Sequence, residues 1–188
     1  MQRLVDYFEK PGPTNTTRCI EIAKQAVQEG IKHVVVATTC GDTGVALAEA
    51  LSGSGVNLVA VTHSAGFKSP SELELIEENR QRILKAGAKI YTGTILTHSI
   101  ETSLATQFQG VYPTTLIALT LRRFGQGAKV VCEIVMEACD AGLIPENEEV
   151  LAIAGTGRGA DTVALLRSAA SKRFHELKVL EILAKPRE

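Results

Sequence analysis

The sequence predicts an α/β protein with a mainly parallel sheet covered by helices on both faces. Three observations carry this expectation. Residues 33–37 (HVVVA), 57–62 (NLVAVT) and 150–154 (VLAIA) are short, β-branched apolar runs, as strands buried on both faces are. Stretches with helical periodicity and end signals alternate with them. The 188 residues are 45% apolar and 22% charged, an ordinary globular balance at a length that suits one domain.

In chain order, a Pro-Gly-Pro turn at residues 11–13 precedes a helix over residues 15–29. Ile20, Ala23, Ala26 and Val27 line one face of it, Thr14 or Asn15 is placed to cap its start, and Gly30 ends it. Strand 33–37 runs into a turn at residues 38–44 (TTCGDTG) and a short alanine-rich helix at 45–51, before strand 57–62. Residues 71–86 read as a polar-faced helix with a Ser71–Glu74 capping box, closed by Gly87. Residues 89–92 (KIYT) form a short strand. Residues 99–108 and 114–124 look helical around a break at Pro113, and 128–141 is a helix finished by Gly142. Strand 150–154 then enters a glycine loop at 155–160 (GTGRGA). Residues 161–170 fit a strand or a helix, and 178–184 (KVLEILA) fit either period. With no internal repeat and no low-complexity linker, the expectation is one domain over residues 1–188.

Twenty basic against 21 acidic residues leave a net charge of -1, with no surplus to attract a nucleic-acid backbone. The segment MQRLVDYFEKPGP lacks the apolar run of a secretory signal, and no stretch approaches the roughly 18 apolar residues of a membrane span. Cys19, Cys40, Cys132 and Cys139 show no CxxC spacing and are expected as reduced thiols in a cytoplasm. Cys132 and Cys139 share a helical face and are expected in the core. Aromatic residues are 4% and tryptophan is absent, so platforms for stacked bases are scarce. A small-molecule partner remains, and a homo-oligomer is left open.

In a parallel sheet the strand ends and helix N-termini share one edge, where unpaired N–H groups attract anions and ligands collect at the reversal of strand order. The loops at 38–44 and 155–160 both lie there. The first supplies Thr38, Thr39 and Thr43 hydroxyls, Gly41 and Gly44, and a helix start; Asp42 opposes a phosphate unless it points outward. A tight, well-capped turn with no ligand explains the same residues. The second formally matches the Rossmann-type G-x-G-x-x-A dinucleotide fingerprint, but too little chain follows for a second half-domain. It presents Arg158 among Gly155, Gly157 and Gly159, beside Thr156, and a guanidinium can clamp phosphate. A plain glycine turn is the alternative. His63, with Gly66 and Phe67, offers a polar contact and an aromatic wall on the same edge. Cys40 at a helix start could be a nucleophile, but no histidine partner is legible. His98 and Glu101 stand at i, i+3, a spacing that can share a metal but more often marks a surface pair, so no metal is expected.

VVVATTCGDTG with NLVAVTHS behind it, and GAKVVCEIVMEACDAGLIPENEEVLAIAGT, resemble the C-terminal α/β domain of pyruvate kinase. YFEKPGPTNT, HSAGF, GTGRGADT and VLEILAKPR resemble stand-alone proteins of that superfamily more closely. The resemblance implies a three-layer α/β/α fold around a five-stranded sheet of order 3-2-1-4-5, the last strand antiparallel, with residues 162–168 as that strand. It sets the loops at 38–44 and 155–160 facing each other across the switch point. In pyruvate kinase the matching threonine-rich turn belongs to the allosteric sugar-phosphate site. In the stand-alone proteins the pocket looks like a flavin mononucleotide (FMN) site.

Pyruvate kinase chemistry resides in a TIM barrel of about 250 residues, absent from this sequence, so kinase activity is not expected. The family more commonly has a serine-like residue where Cys40 stands. Three functions follow as expectations. The first is a phosphate-ligand binding protein, flavoprotein-like and most simply FMN-binding, with any flavin-dependent activity unassigned. The second is a cofactor-free regulatory module sensing a sugar phosphate. The third is a small hydrolase using Cys40.

Overall fold

A computed structural model describes residues 3–187; Met1, Gln2 and Glu188, at the ends of the expected domain, lie outside the described residues. Its elements in chain order are β1 (Asp6–Phe8), α1 (Thr16–Gln28), β2 (His33–Ala37), α2 (Asp42–Leu51), β3 (Asn57–His63), α3 (Glu77–Lys85) and β4 (Lys89–Gly93). There follow α4 (Ile100–Phe108), α5 (Pro113–Leu121), α6 (Gln126–Asp140), β5 (Glu149–Ala154), β6 (Thr162–Arg167) and β7 (Lys178–Pro186). Short 3-10 turns cover Pro13–Asn15, Arg122–Phe124 and Ser171–Glu176.

The strands form one sheet of order β1-β7-β6-β5-β2-β3-β4. Five consecutive strands from one edge, β4-β3-β2-β5-β6, reproduce the expected order, with β6 antiparallel to β5. The five-strand expectation is corrected to seven. Residues 178–186, ambiguous from their spacing, pair antiparallel with β6, and β1 pairs parallel with β7 through Asp6↔Ala184 and Phe8↔Pro186. A three-residue strand has too few alternations to be legible by period.

Alternation along the buried strands builds two cores. Val34 and Val36 point with Leu58, Ala60, Leu151 and Ile153 toward α1, α2 and α3. Val35 points with Val59, Val61, Val150 and Ala152 toward α6. This is why these strands are apolar at every position: each successive side chain meets a different helical layer. On α1 the buried face is Cys19, Ile22, Ala23 and Ala26, with Ile20 and Val27 only partly covered. Cys132 and Cys139 are buried on α6. Among the described residues, no helix is long and apolar enough to cross a membrane.

Three local expectations are corrected. The helix after β2 begins at Asp42 rather than Val45, so part of the expected turn is its first turn. Asn15 occupies the N-cap of α1 but makes no side-chain cap; its amide donates to Lys10 O at 2.8 Å and Gly12 O at 3.2 Å. The Ser71–Glu74 capping box does not form: α3 starts at Glu77, Ser71 has φ +63°, and Glu74 turns its carboxylate to His63.

Candidate functional site

β2, β3 and β5 run parallel and end side by side at Ala37, His63 and Ala154. The chain leaves β2 for the α2 layer and reaches β5 from the opposite α6 layer. The loops that follow these strand ends border a cleft of about 460 Å³.

The loop after β2 is held from below. Thr38 is buried; its N–H donates to Val61 O at 2.9 Å, and its hydroxyl accepts Gly44 N–H at 3.3 Å. Gly41 caps α2 at φ +104°, and a Cβ there would lie 2.5 Å from Asn79 Cβ. Asn79 of α3 donates to Cys40 O at 3.0 Å and to Asp42 Oδ1 at 2.9 Å. That bond fixes one Asp42 oxygen, and the side chain stays 74% exposed at the rim of the cleft. The N–H groups of Asp42 and Thr43, in the first turn of α2, have no acceptor within the helix.

The glycine loop after β5 is fixed by Asp161, which is fully buried. Its Oδ2 accepts Gly12 N–H at 2.9 Å and Thr156 N–H at 3.0 Å, and its Oδ1 accepts the Thr162 hydroxyl at 2.9 Å. Ala160 N–H donates to Thr16 Oγ1 at 2.9 Å. At Gly159, φ +69°, a Cβ would overlap Pro13 Cα. The 155–160 loop is thereby stapled to the segment before α1, and Arg158 is left on its open side. The Arg158 Nη1 donates to Cys40 Sγ at 2.8 Å and stands 3.9 Å from Asp42 Oδ2. The two loops therefore meet across the switch point. Cys40 hydrogen-bonds with an arginine and, among the described residues, with no histidine.

The third wall follows β3. His63 Nδ1 is 2.7 Å from Glu74 Oε2, and its ring lies 4.3 Å from that of Phe67, centroid to centroid. Phe67 is in turn 6.5 Å from His98. Gly66 turns the loop at φ +81°, its N–H bonded to Glu72 O. Glu101 accepts the N–H and hydroxyl of Thr114 at the start of α5, joining α4 to α5 rather than meeting His98.

Of the residues named from sequence, Thr38, Thr39, Cys40, Thr43, His63, Phe67, Gly155, Gly157, Arg158 and Gly159 line the cleft. Gly41, Gly44, Gly66 and Thr156 shape its loops from behind.

Sequence reading missed the inner wall. Lys129, Glu133 and Glu137 of α6 line the cleft although they are only 3%, 3% and 2% exposed. Lys129 pairs with Glu133, which also accepts Thr97 N–H at 3.0 Å and the Thr97 hydroxyl. Burial and the neighbouring Glu133 push the Glu137 carboxyl up to about 8, which favours its uncharged form at neutral pH. Burial and Lys129 hold His98 below the usual histidine range. The available signal was charge at i, i+4 and i+8 inside GAKVVCEIVMEACD, one stripe on an otherwise apolar helix. At neutral pH Lys129 balances Glu133 inside, and Arg158 balances Asp42 at the mouth.

The family described as pyruvate kinase, alpha/beta domain, matches residues 10–167. The chain belongs to that family. Among solved structures it is similar to a pyruvate kinase from Cryptosporidium parvum, at 15% identity and a TM-score of 0.44, over 85% of this chain and 24% of that one. The same organism's enzyme in complex with ADP aligns at 15% identity and a TM-score of 0.43, over 86% and 25%. An O-ureido-L-serine synthase aligns at 17% identity and a TM-score of 0.31, over 73% and 49%. The chain spans about a quarter of the length of the pyruvate kinases it matches.

Proposed function

We propose that the cleft at the ends of β2, β3 and β5 binds a small phosphorylated ligand, and that FMN is the ligand it suits best. The observation that carries this reading is the position of Arg158. Its guanidinium reaches from one loop to Cys40, just before α2, on the other. One corner of the cleft thus gathers a cation, the first-turn N–H groups of α2 and the threonines Thr39 and Thr43. That donor set fits a phosphate. Asp42 does not undo it: Asn79 holds one oxygen, and the exposed pair with Arg158 at 3.9 Å contributes little.

The remaining wall suits a flat ring. Val61, Phe67, Ile95, Val130 and Ile134 line it, and a cleft of about 460 Å³ lies within the size range of small-molecule sites. When bound, a flavin supplies reversible electron transfer. The chain's own residues hold the phosphate at the mouth and cover the ring.

Purified protein is expected to show a flavin absorbance spectrum or to acquire one on titration with FMN. At 100 times its dissociation constant the ligand should stabilise the fold by about 2.7 kcal/mol in thermal unfolding. Colourless protein that ignores FMN yet is stabilised by a sugar phosphate would reassign the cleft to a regulatory sensor.

A further inference from the structure

Helix α6 is the most deeply buried helix of the fold, and its Val131, Ile134, Val135 and Ala138 pack into the core beneath the sheet. Its single polar stripe, Lys129, Glu133 and Glu137, is equally buried but faces the cleft. Burying three ionisable groups opposes folding unless each finds a partner. Lys129 and Glu133 find each other, and Thr97 closes the remaining positions on Glu133 with two hydrogen bonds. Among the described residues, Glu137 forms no ion pair of its own. The backbone N–H of Leu96 donates to its carboxyl.

A neutral carboxyl presents a donor and an acceptor side by side. That pattern matches a carbonyl next to a ring N–H. Two turns earlier on the helix, the Lys129 ammonium retains donors beyond the one aimed at Glu133, and these suit a second carbonyl. We propose that this inner wall recognises the cyclic imide edge of a phosphorylated heterocycle, with Glu137 matching one carbonyl and the N–H, and Lys129 the other carbonyl. The inference rests on the reading that the cleft holds the ligand's phosphate at its mouth. It names the chemistry at the opposite end, which FMN and uridine 5′-monophosphate (UMP) share and cytidine 5′-monophosphate (CMP) lacks.

The groups around Glu137 set its response to pH. Burial and the carboxylates of Glu133 and Asp140 hold the proton on; Lys129 and the Leu96 N–H favour its loss. Tyr91 of β4 and His98 of the preceding loop face the same cluster, and burial favours the neutral form of both. Above the Glu137 pKa of about 8, the carboxylate would repel the carbonyl it had matched.

The test is calorimetric titration of the full chain with FMN, N3-methyl-FMN, UMP and CMP, at about pH 6.5 and about pH 9, either side of that pKa. Wild type should bind each imide ligand about tenfold more tightly than its blocked or imide-free counterpart, and lose that margin at the higher pH. Glu137→Leu should lose about tenfold toward the imide ligand and little toward N3-methyl-FMN or CMP. Glu137→Gln keeps a donor and an acceptor but cannot ionise. It should retain the margin at both values, which separates titration of the protein from that of the ligand. FMN bound with no regard to methylation or to Glu137 would overturn the inference and leave the flavin reading standing. UMP bound in the expected pattern without FMN would do the reverse. Binding of none of the four would end both.

Discussion

Gly41 shows how one residue sets the corner of the cleft proposed to hold a phosphate. It turns the chain at φ +104° and lets the backbone press against Asn79, which in turn holds one oxygen of Asp42 at the rim of the cleft. Gly41→Ala should destabilise the protein by about 2–3 kcal/mol, from backbone strain and overpacking together. Urea denaturation would read this as a lower midpoint at unchanged slope; an unshifted midpoint would mean that the turn relaxes freely. The role of Gly41 was legible, because a glycine between a strand and a helix start reads as a turn. The orientation of Asp42 was not. It depends on Asn79, 37 positions away, and a residue-by-residue reading sees only a carboxylate beside a phosphate loop. Glu137 was missed for a related reason: in sequence it resembles a solvated charge, and only the loop carrying Leu96 and Thr97 makes it buried.

At the scale of elements, the buried strands were readable because each is apolar at every position, and the helix between two such strands is then forced. The start of α3 was not. Ser71 and Glu74 have capping-box spacing, but Glu74 makes a tertiary bond to His63 and Ser71 takes a left-handed backbone, so the helix begins six residues later. β7 was ambiguous because its first residues are exposed and only its end, at Ala184 and Pro186, is buried. The glycine loop was read as a ligand loop, yet what gives it shape is Asp161 bonded to Gly12 and Thr156. Asp161→Ala strands those buried amides and should lower stability by about 2–3 kcal/mol. Hydrogen exchange should then quicken at residues 10–16 and 155–160 together. Exchange that quickens in only one of the two segments would show that Asp161 does not couple them.

The whole molecule carries an ionisable cluster at its centre, and its stability should follow pH accordingly. Glu137 binds its proton more tightly folded, with a pKa of about 8, than unfolded, at 4.5. Its contribution is therefore fully present below the unfolded value and is lost as pH rises through the folded one. Glu137→Gln removes this dependence, so the variant's Tm should decline less than wild type between about pH 5 and pH 8. Parallel Tm profiles for the two proteins would show that Glu137 is already ionised at neutral pH. The loops after β2 and β5 meet at the mouth of the cleft beyond this cluster, and we propose that their meeting point holds a phosphate. The direct measurement is calorimetric binding of FMN and of riboflavin, which lacks the phosphate, to wild type and Arg158→Ala. The substitution should weaken FMN binding by about 1.5–3 kcal/mol and leave riboflavin nearly unchanged. Equal losses for both ligands, or none for either, would contradict the proposal and place the phosphate away from Arg158.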